Sequence, residues 1–283
     1  MPKIAIVTDS TAYIPEPLLS QYPSIHVIPQ VLIWGDVTFR DGVDIKPNEF
    51  YTRLEHASVL PSTSQATPKA FEGLYQKLLD QGNEILSVLI SGALSGTMDS
   101  AIQAKAALEG APIELVDSRT TAMAMGFLVL EAARAAEKGA SLAECKQLVE
   151  SSLRRVGVFV TVDTLEFLHR GGRIGAVTRY MGTALKLKPI VEVLDGVLQP
   201  VERVRTRSKA IARLVEVLGE RTGGDKPVHI SCIHANVEDE AQALLKQVQS
   251  RYQVVEGYVS AVSPVIGTHV GPGTLGISYM VDG

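Results

Sequence analysis

The chain reads as a two-domain α/β protein, with a parallel-sheet N-terminal domain and a C-terminal α+β domain built on a mixed or antiparallel sheet. Three observations predict this. Over the first half, short strand-like runs alternate with helical runs, the pattern of a parallel sheet covered by helices. The second half carries Asp195-Gly196 between two strand-like runs, a pair that supplies the positive φ angles of a two-residue hairpin turn and so implies antiparallel pairing. With 283 residues, 46% of them hydrophobic, the chain can bury a core large enough for two domains of ordinary size.

Each element follows in order. Residues 3–7 predict a first strand, followed by the polar Thr8-Asp9-Ser10-Thr11 and a helix opening at Pro15-Glu16-Pro17. Ser62-Thr63-Ser64-Gln65 reads as a turn before a helix whose N-cap is Thr67, with Pro68 at the first helical position. Phe71, Leu74, Tyr75, Leu78 and Leu79 then form an apolar face, and Gly82 closes the helix. Residues 85–90 and 113–116 are further strands, each running into a polar turn at 91–95 and 117–120. In open α/β sheets such turns gather at the carboxyl edge, where ligands usually bind. A helix over 98–108 lies between these two strands. Residues 121–136 are apolar almost throughout and predict a buried core helix, and a second helix over 142–153 leads to a strand at 156–160. The domain division is placed here, at 1–155 and 156–283. Strands at 189–194 and 197–206 form the hairpin, followed by a helix (208–221), a strand (228–233), a helix (237–252) and strands near 254–260 and 276–280.

Composition narrows the function. A net charge of −4 provides no general attraction to nucleic acid or to anionic membranes. Cys145 and Cys232 cannot make a disulfide framework and form no Cys-x-x-Cys pair, and the histidines show no ligand spacing, so no metal is expected. The N-terminus enters strand-like sequence at once, without a signal-peptide pattern, and no run of about 18 apolar residues occurs. A soluble cytoplasmic protein is the expectation.

Three hydroxyl-rich corners stand far apart in the sequence: Ser62–Gln65, Ser91–Thr97, and Gly267–Thr274 around His269. Each lies beside an apolar element, where a neutral polar group would meet a ligand's charged end while hydrocarbon holds the rest, so an amphiphile is the expected ligand. Residues 91–97 could turn helix N–H groups toward an anion, but the lysine of a P-loop is missing. Spacing alone fits equally well with Ser95 and Thr97 as helix caps. His269 sits among Gly267, Gly271 and Gly273, read as a backbone-rich loop, and spacing leaves it either a structural hydrogen-bonder or a functional group. A third signal is electrostatic: residues 165–213 hold ten Lys or Arg against four acids. Arg203, Arg205 and Arg207 alternate, which would place them on one strand face, either as a solvated surface or as a dock for an acidic or phosphorylated partner.

Thr8-Asp9-Ser10-Thr11, Asp41-Gly42, Thr63-Ser64-Gln65, Leu94-Ser95-Gly96-Thr97, Phe167-Leu168-His169-Arg170-Gly171-Gly172-Arg173-Ile174, Lys188-Pro189 and His269-Val270-Gly271-Pro272-Gly273, in this order and spacing, resemble the DegV family of bacterial fatty-acid-binding proteins, which includes the FakB subunits of fatty acid kinase. The resemblance covers essentially the whole chain. It implies one long-chain fatty acid in a tunnel, its carboxyl group held by Thr63, Ser95 and His269, with Ser64, Gly96, Thr97 and Gly271 in the supporting loops. It further implies no cofactor, an ATP-dependent kinase partner faced by Arg173 and Arg205, and a downstream acyltransferase in phospholipid synthesis. The competing reading is a serine esterase or thioesterase using Ser95 and His269, against which stands the absence of a Gly-x-Ser-x-Gly elbow.

Overall fold

The structure is a computed structural model that describes residues 3–180 and 187–283. The first half supplies β1 (Lys3–Asp9), α1 (Glu16–Gln21), β2 (Ile25–Ile28), β3 (Val31–Trp34), β4 (Val37–Arg40), α2 (Pro47–Glu55), β5 (Ser62–Ser64), α3 (Pro68–Asp80), β6 (Asn83–Leu89), α4 (Thr97–Ala107) and β7 (Ile113–Asp117). Two helices follow, α5 (Ala122–Glu137) and α6 (Leu142–Ser152). The second half contains β8 (Val156–Thr161), α7 (Glu166–Arg170), β9 (Lys188–Leu194), β10 (Val197–Val204) and α8 (Arg207–Thr222). It ends with β11 (Val228–His234), α9 (Glu238–Arg251), β12 (Val254–Ala261), α10 (Pro264–Val270) and β13 (Leu275–Val281).

The fold class agrees with the sequence expectation. One sheet, in the order β2-β1-β6-β7, is parallel throughout. The other, in the order β10-β9-β8-β13-β11-β12, is antiparallel except for the β11–β12 pair. The hairpin forms at Asp195 and Gly196, with φ of 52° and 85°, and pairs Val197 with Leu194. Thr67 caps α3 by accepting from the Ala70 N–H, as its Thr-Pro pair predicts.

Strand alternation sorts the side chains into layers. Ala5, Val7, Ile85 and Leu89 pack with Phe71 and Tyr75 of α3 and Ala101 and Ala104 of α4. Ile4, Ile6, Leu86 and Val88 point the other way, into the cluster that holds α5. In the mixed sheet, Phe159, Ile230, Cys232 and Ile277 pack with α8 and α9. Val158, Val160 and Ile233 belong to the cluster that contains α5. That helix therefore lies between the two sheets, and every residue from Ala122 to Leu130 is buried.

Among the elements that differ from the sequence reading, two bear on residues singled out there. Residues 62–64 form a strand, β5, which pairs with β3 in a three-stranded antiparallel sheet ordered β4-β3-β5. Ser62-Thr63-Ser64 has no apolar alternation, so only its pairing partner reveals it as a strand. The β3–β4 hairpin did leave a signal, Gly35-Asp36 between two apolar runs, with Gly35 at φ 62°. The other correction concerns the arginines: β10 ends at Val204, so Arg205 and Arg207 do not share a strand face with Arg203. Arg207 instead begins α8 after the N-cap Thr206.

Leu128, fully buried on α5, has no solvent side on which a cavity could relax. Leu128→Ala should cost about 3 kcal/mol, read as a lower urea midpoint at unchanged m-value; a loss within about 0.5 kcal/mol, the range of surface substitutions, would contradict this placement of the helix.

Candidate functional site

A cavity opens where the carboxyl end of the parallel sheet meets the mixed sheet. Its empty space, open mouth included, is about 940 Å³. Val158 and Val160 of β8, Val191 and Val193 of β9, Leu198 of β10 and Ile233 of β11 form one wall. Ile90, Ala122, Val262, Val265 and Ile266 contribute from the other elements, so the walls are mainly apolar. Onto this cavity converge Thr63, Ser64, Gln65, Ser95, Arg173 and His269. The three hydroxyl-rich corners thus meet in space.

Their contacts make a cluster. Thr63 stands on β5 opposite Leu32, and its Oγ1 lies 2.8 Å from His269 Nε2. His269 is in the last turn of α10 and not in a loop as the glycine spacing had implied; Pro264 opens this short helix and Gly271 caps its end. The ring is packed against Gly171, where a Cβ would lie 2.1 Å from Nδ1, so only glycine permits this approach. Burial, with a smaller contribution from the Arg173 charge, lowers the His269 pKa to about 4, which keeps the imidazole neutral at pH 7. Its Nδ1 is buried without a hydrogen-bond partner among the described residues. A proton on Nε2 therefore makes the ring a donor to Thr63 and frees the threonine hydrogen for a ligand.

Ser95 Oγ lies 2.8 Å from Thr97 Oγ1 and also accepts from the Thr97 N–H at 3.3 Å. Neither residue is the helix cap; Gly96 occupies that position at the start of α4, beside the Gln65 amide. Thr97 is fully buried behind Ser95, whereas Ser64 is exposed at the cavity's edge. Ser95 and His269 are not hydrogen-bonded to each other: the serine is engaged with Thr97 and the imidazole with Thr63. A nucleophile–base dyad is not assembled in this arrangement.

The arginines divide. Arg173 lines the cavity, and its guanidinium donates to the main-chain oxygens of Gly171 at 2.8 Å and Leu94 at 3.4 Å, which leaves its charge unneutralised. Arg205 is exposed in the link between β10 and α8 and does not line the cavity. Much of the remaining basic segment is paired: Arg170 with Glu166, Lys188 with Asp163, Arg207 with Asp163 and Glu240, and Arg213 with Glu202, Glu216 and Glu220. Lys186 lies outside the described residues. No group of three or more His, Cys, Asp or Glu is placed to hold a metal among the described residues.

One residue facing the cavity escaped the sequence reading. Gln30 is buried between β2 and β3, donates from Nε2 to Thr97 Oγ1 at 2.8 Å and accepts the Ala66 N–H at 2.9 Å. A lone glutamine between Pro29 and Val31 carries no motif, and only the tertiary contacts expose its place.

The fold recurs in proteins of known structure. Residues 3–282 match the family model described as "Uncharacterised protein, DegV family". Protein DegV of Bacillus subtilis is 37% identical over 278 residues, covering 98% of each chain. The chain belongs to the DegV family. Among solved structures, a DegV family protein from Thermus thermophilus described by its fatty acid binding is 32% identical and superposes with a TM-score of 0.93, covering 99% of this chain and 100% of that one. DegV from Bacillus subtilis, described as a fatty acid binding protein, is 34% identical with a TM-score of 0.90 over 100% of both chains.

The His269 shift sets a pH dependence. Its folded pKa lies below the unfolded value, so between about pH 6.5 and 4 the unfolded chain binds more protons and stability falls as pH falls through that window. Between pH 7 and pH 4.5 the wild type should lose about 2 kcal/mol more than His269→Gln, measured by urea unfolding of ligand-free protein. Parallel losses in the two proteins would remove His269 as the cause.

Proposed function

We propose that this DegV protein binds one long-chain fatty acid, tail in the apolar cavity and carboxyl group against Thr63, Ser95 and His269, and presents that carboxyl to an ATP-dependent fatty acid kinase. The observation that carries the reading is the convergence of these three neutral groups, from β5, the β6–α4 turn and α10, on one mainly apolar cavity. Residues 1–155 would supply Thr63 and Ser95, and residues 156–283 the imidazole, Arg173 and most of the tunnel wall. The fatty acid binding of the Thermus thermophilus and Bacillus subtilis proteins supports the ligand class.

The energetics suit this assignment. A tail of about 16 methylenes buried at roughly 0.8 kcal/mol each gives about 13 kcal/mol before ordering costs, so hydrocarbon can supply nearly all the affinity. The head group then needs orientation more than binding strength. Two hydroxyls, one of them oriented by the neutral imidazole, can hydrogen-bond a carboxylate without an ion pair, which leaves its oxygen nucleophilic toward the γ-phosphate of ATP. Arg173, which lines the cavity, would meet charge that develops on the transferred phosphoryl group. The acyl phosphate would pass to an acyltransferase of phospholipid synthesis. The chain itself needs no cofactor in this scheme. No helix among the described residues is long and apolar enough to cross a membrane, and a cytoplasmic place follows from the need to meet ATP and the kinase.

Denaturing extraction of protein purified from a bacterial host, followed by mass spectrometry, should release about one equivalent of a C16 or C18 fatty acid. An empty protein that also refuses added palmitate and oleate would reject the reading. With a fatty acid kinase subunit and ATP, Ser95→Ala and Thr63→Ala should each lower acyl phosphate formation about tenfold or more while retaining most of the bound lipid. Equal loss of both would refute the division between tail affinity and head-group orientation.

A further inference from the structure

We infer that Gln30 is a positioning residue that sets the direction of the Ser95 hydroxyl hydrogen through Thr97, so that Ser95 is held as a donor toward a carboxylate in the cavity. This rests on the fatty-acid reading of the site and adds to it a buried relay behind the residues that touch the ligand.

Hydrogen-bond accounting fixes the polarity of that relay. Gln30 is 2% exposed, so its amide groups must find partners within the protein. The Ala66 N–H is only a donor, and the side-chain atom 2.9 Å from it must be the acceptor Oε1. The NH2 end therefore faces Thr97 Oγ1 at 2.8 Å and donates to it. Thr97 Oγ1 now has one lone pair filled and one hydrogen to place, and Ser95 Oγ at 2.8 Å is its other partner.

Two arrangements of the hydroxyls are conceivable, and burial separates them. If Ser95 donated to Thr97, the Thr97 hydrogen would have no acceptor although the residue is 0% exposed, leaving a buried donor unpaired. If Thr97 donates to Ser95, the buried Thr97 hydroxyl is fully satisfied. Ser95 Oγ then accepts from the Thr97 hydroxyl and from the Thr97 N–H at 3.3 Å. Both its lone pairs are occupied, and its own hydrogen is left to point into the cavity it lines.

The backbone at Gln30 is held as firmly as its side chain. Its N–H donates to Ser10 Oγ at 3.0 Å, Ser10 donates onward to Asp41 Oδ2 at 2.7 Å, and its carbonyl accepts the Asp41 N–H at 2.9 Å. The relay thus runs from the buried Asp41 through Ser10, Gln30 and Thr97 to Ser95, and a misplaced Gln30 would release the threonine hydroxyl to rotate.

The test uses the whole protein loaded with palmitate labelled with carbon-13 at the carboxyl position, observed by NMR at fixed pH. In Gln30→Met, close in size but without hydrogen bonds, the carboxyl resonance should move at least halfway toward its position in Ser95→Ala while most of the bound palmitate is retained, as expected for losing the direction of a hydrogen bond and not the burial of the tail. Should Gln30→Met fail to fold, Thr97→Val breaks the same relay at constant volume and should move the resonance likewise, while Thr97→Ser restores it. A resonance unmoved in folded Gln30→Met, or in Thr97→Val, overturns the relay alone. A wild-type protein with no bound carboxyl resonance overturns the fatty-acid reading, and the relay with it.

Discussion

A helix packed between two sheets has no solvent face, and this constraint on α5 organises the molecule. Most surface helices divide into an apolar stripe and a polar one. Residues 122–130 cannot, because the parallel sheet lies on one side and the mixed sheet on the other, and they read Ala-Met-Ala-Met-Gly-Phe-Leu-Val-Leu. Small residues let the sheets approach while Phe127 and Leu128 fill the space between. The same helix that joins the sheets along its length leaves a gap near its first turn, where Thr121 and Ala122 border the cavity. The binding space is therefore the continuation of the interior core, lined by the same alternating valines of β8 and β9 that elsewhere pack on protein.

How much of this could be read beforehand depended on whether a residue's role was local. The strands β1, β6 and β7, the cap of α3 and the Asp195-Gly196 hairpin are written in short-range patterns, and the structure has them close to where the sequence placed them. Of the small sheet, β3 and β4 left only the Gly35-Asp36 turn as a signal and β5 left none, because three residues are too few to display alternation and Ser62-Thr63-Ser64 owes its conformation to backbone bonds with β3. The site divided in the same way. Thr63, Ser95 and His269 stood out as polar corners and do line one cavity, whereas the helix under His269 was masked by its glycines. Gln30 had no local signature at all; its importance comes from Ala66 and Thr97, which are distant in sequence.

The charges near the site are arranged asymmetrically, and this bears on how a carboxylate would lie. Arg173 is on the exposed side, its charge facing carbonyls only. Behind Ser95 and Thr97 are two buried carboxyls, Asp9 and Asp41, both with pKa values raised by burial, Asp41 to about 7. Asp9 earns its place structurally by accepting the Ile90 N–H at 2.8 Å, which ties the ends of β1 and β6 together. Asp41 binds Ser10 and faces Ser263 and Val265 at the start of α10, the helix that carries His269. A fully ionised pair there would repel a bound carboxylate through a low-dielectric interior. Burial moderates that repulsion by holding Asp41 partly protonated near neutral pH, while Arg173 attracts from the opposite side. In the proposed complex these charges would favour a head group on the Arg173 side, and the hydroxyls and imidazole between the two sets of charges would fix its angle.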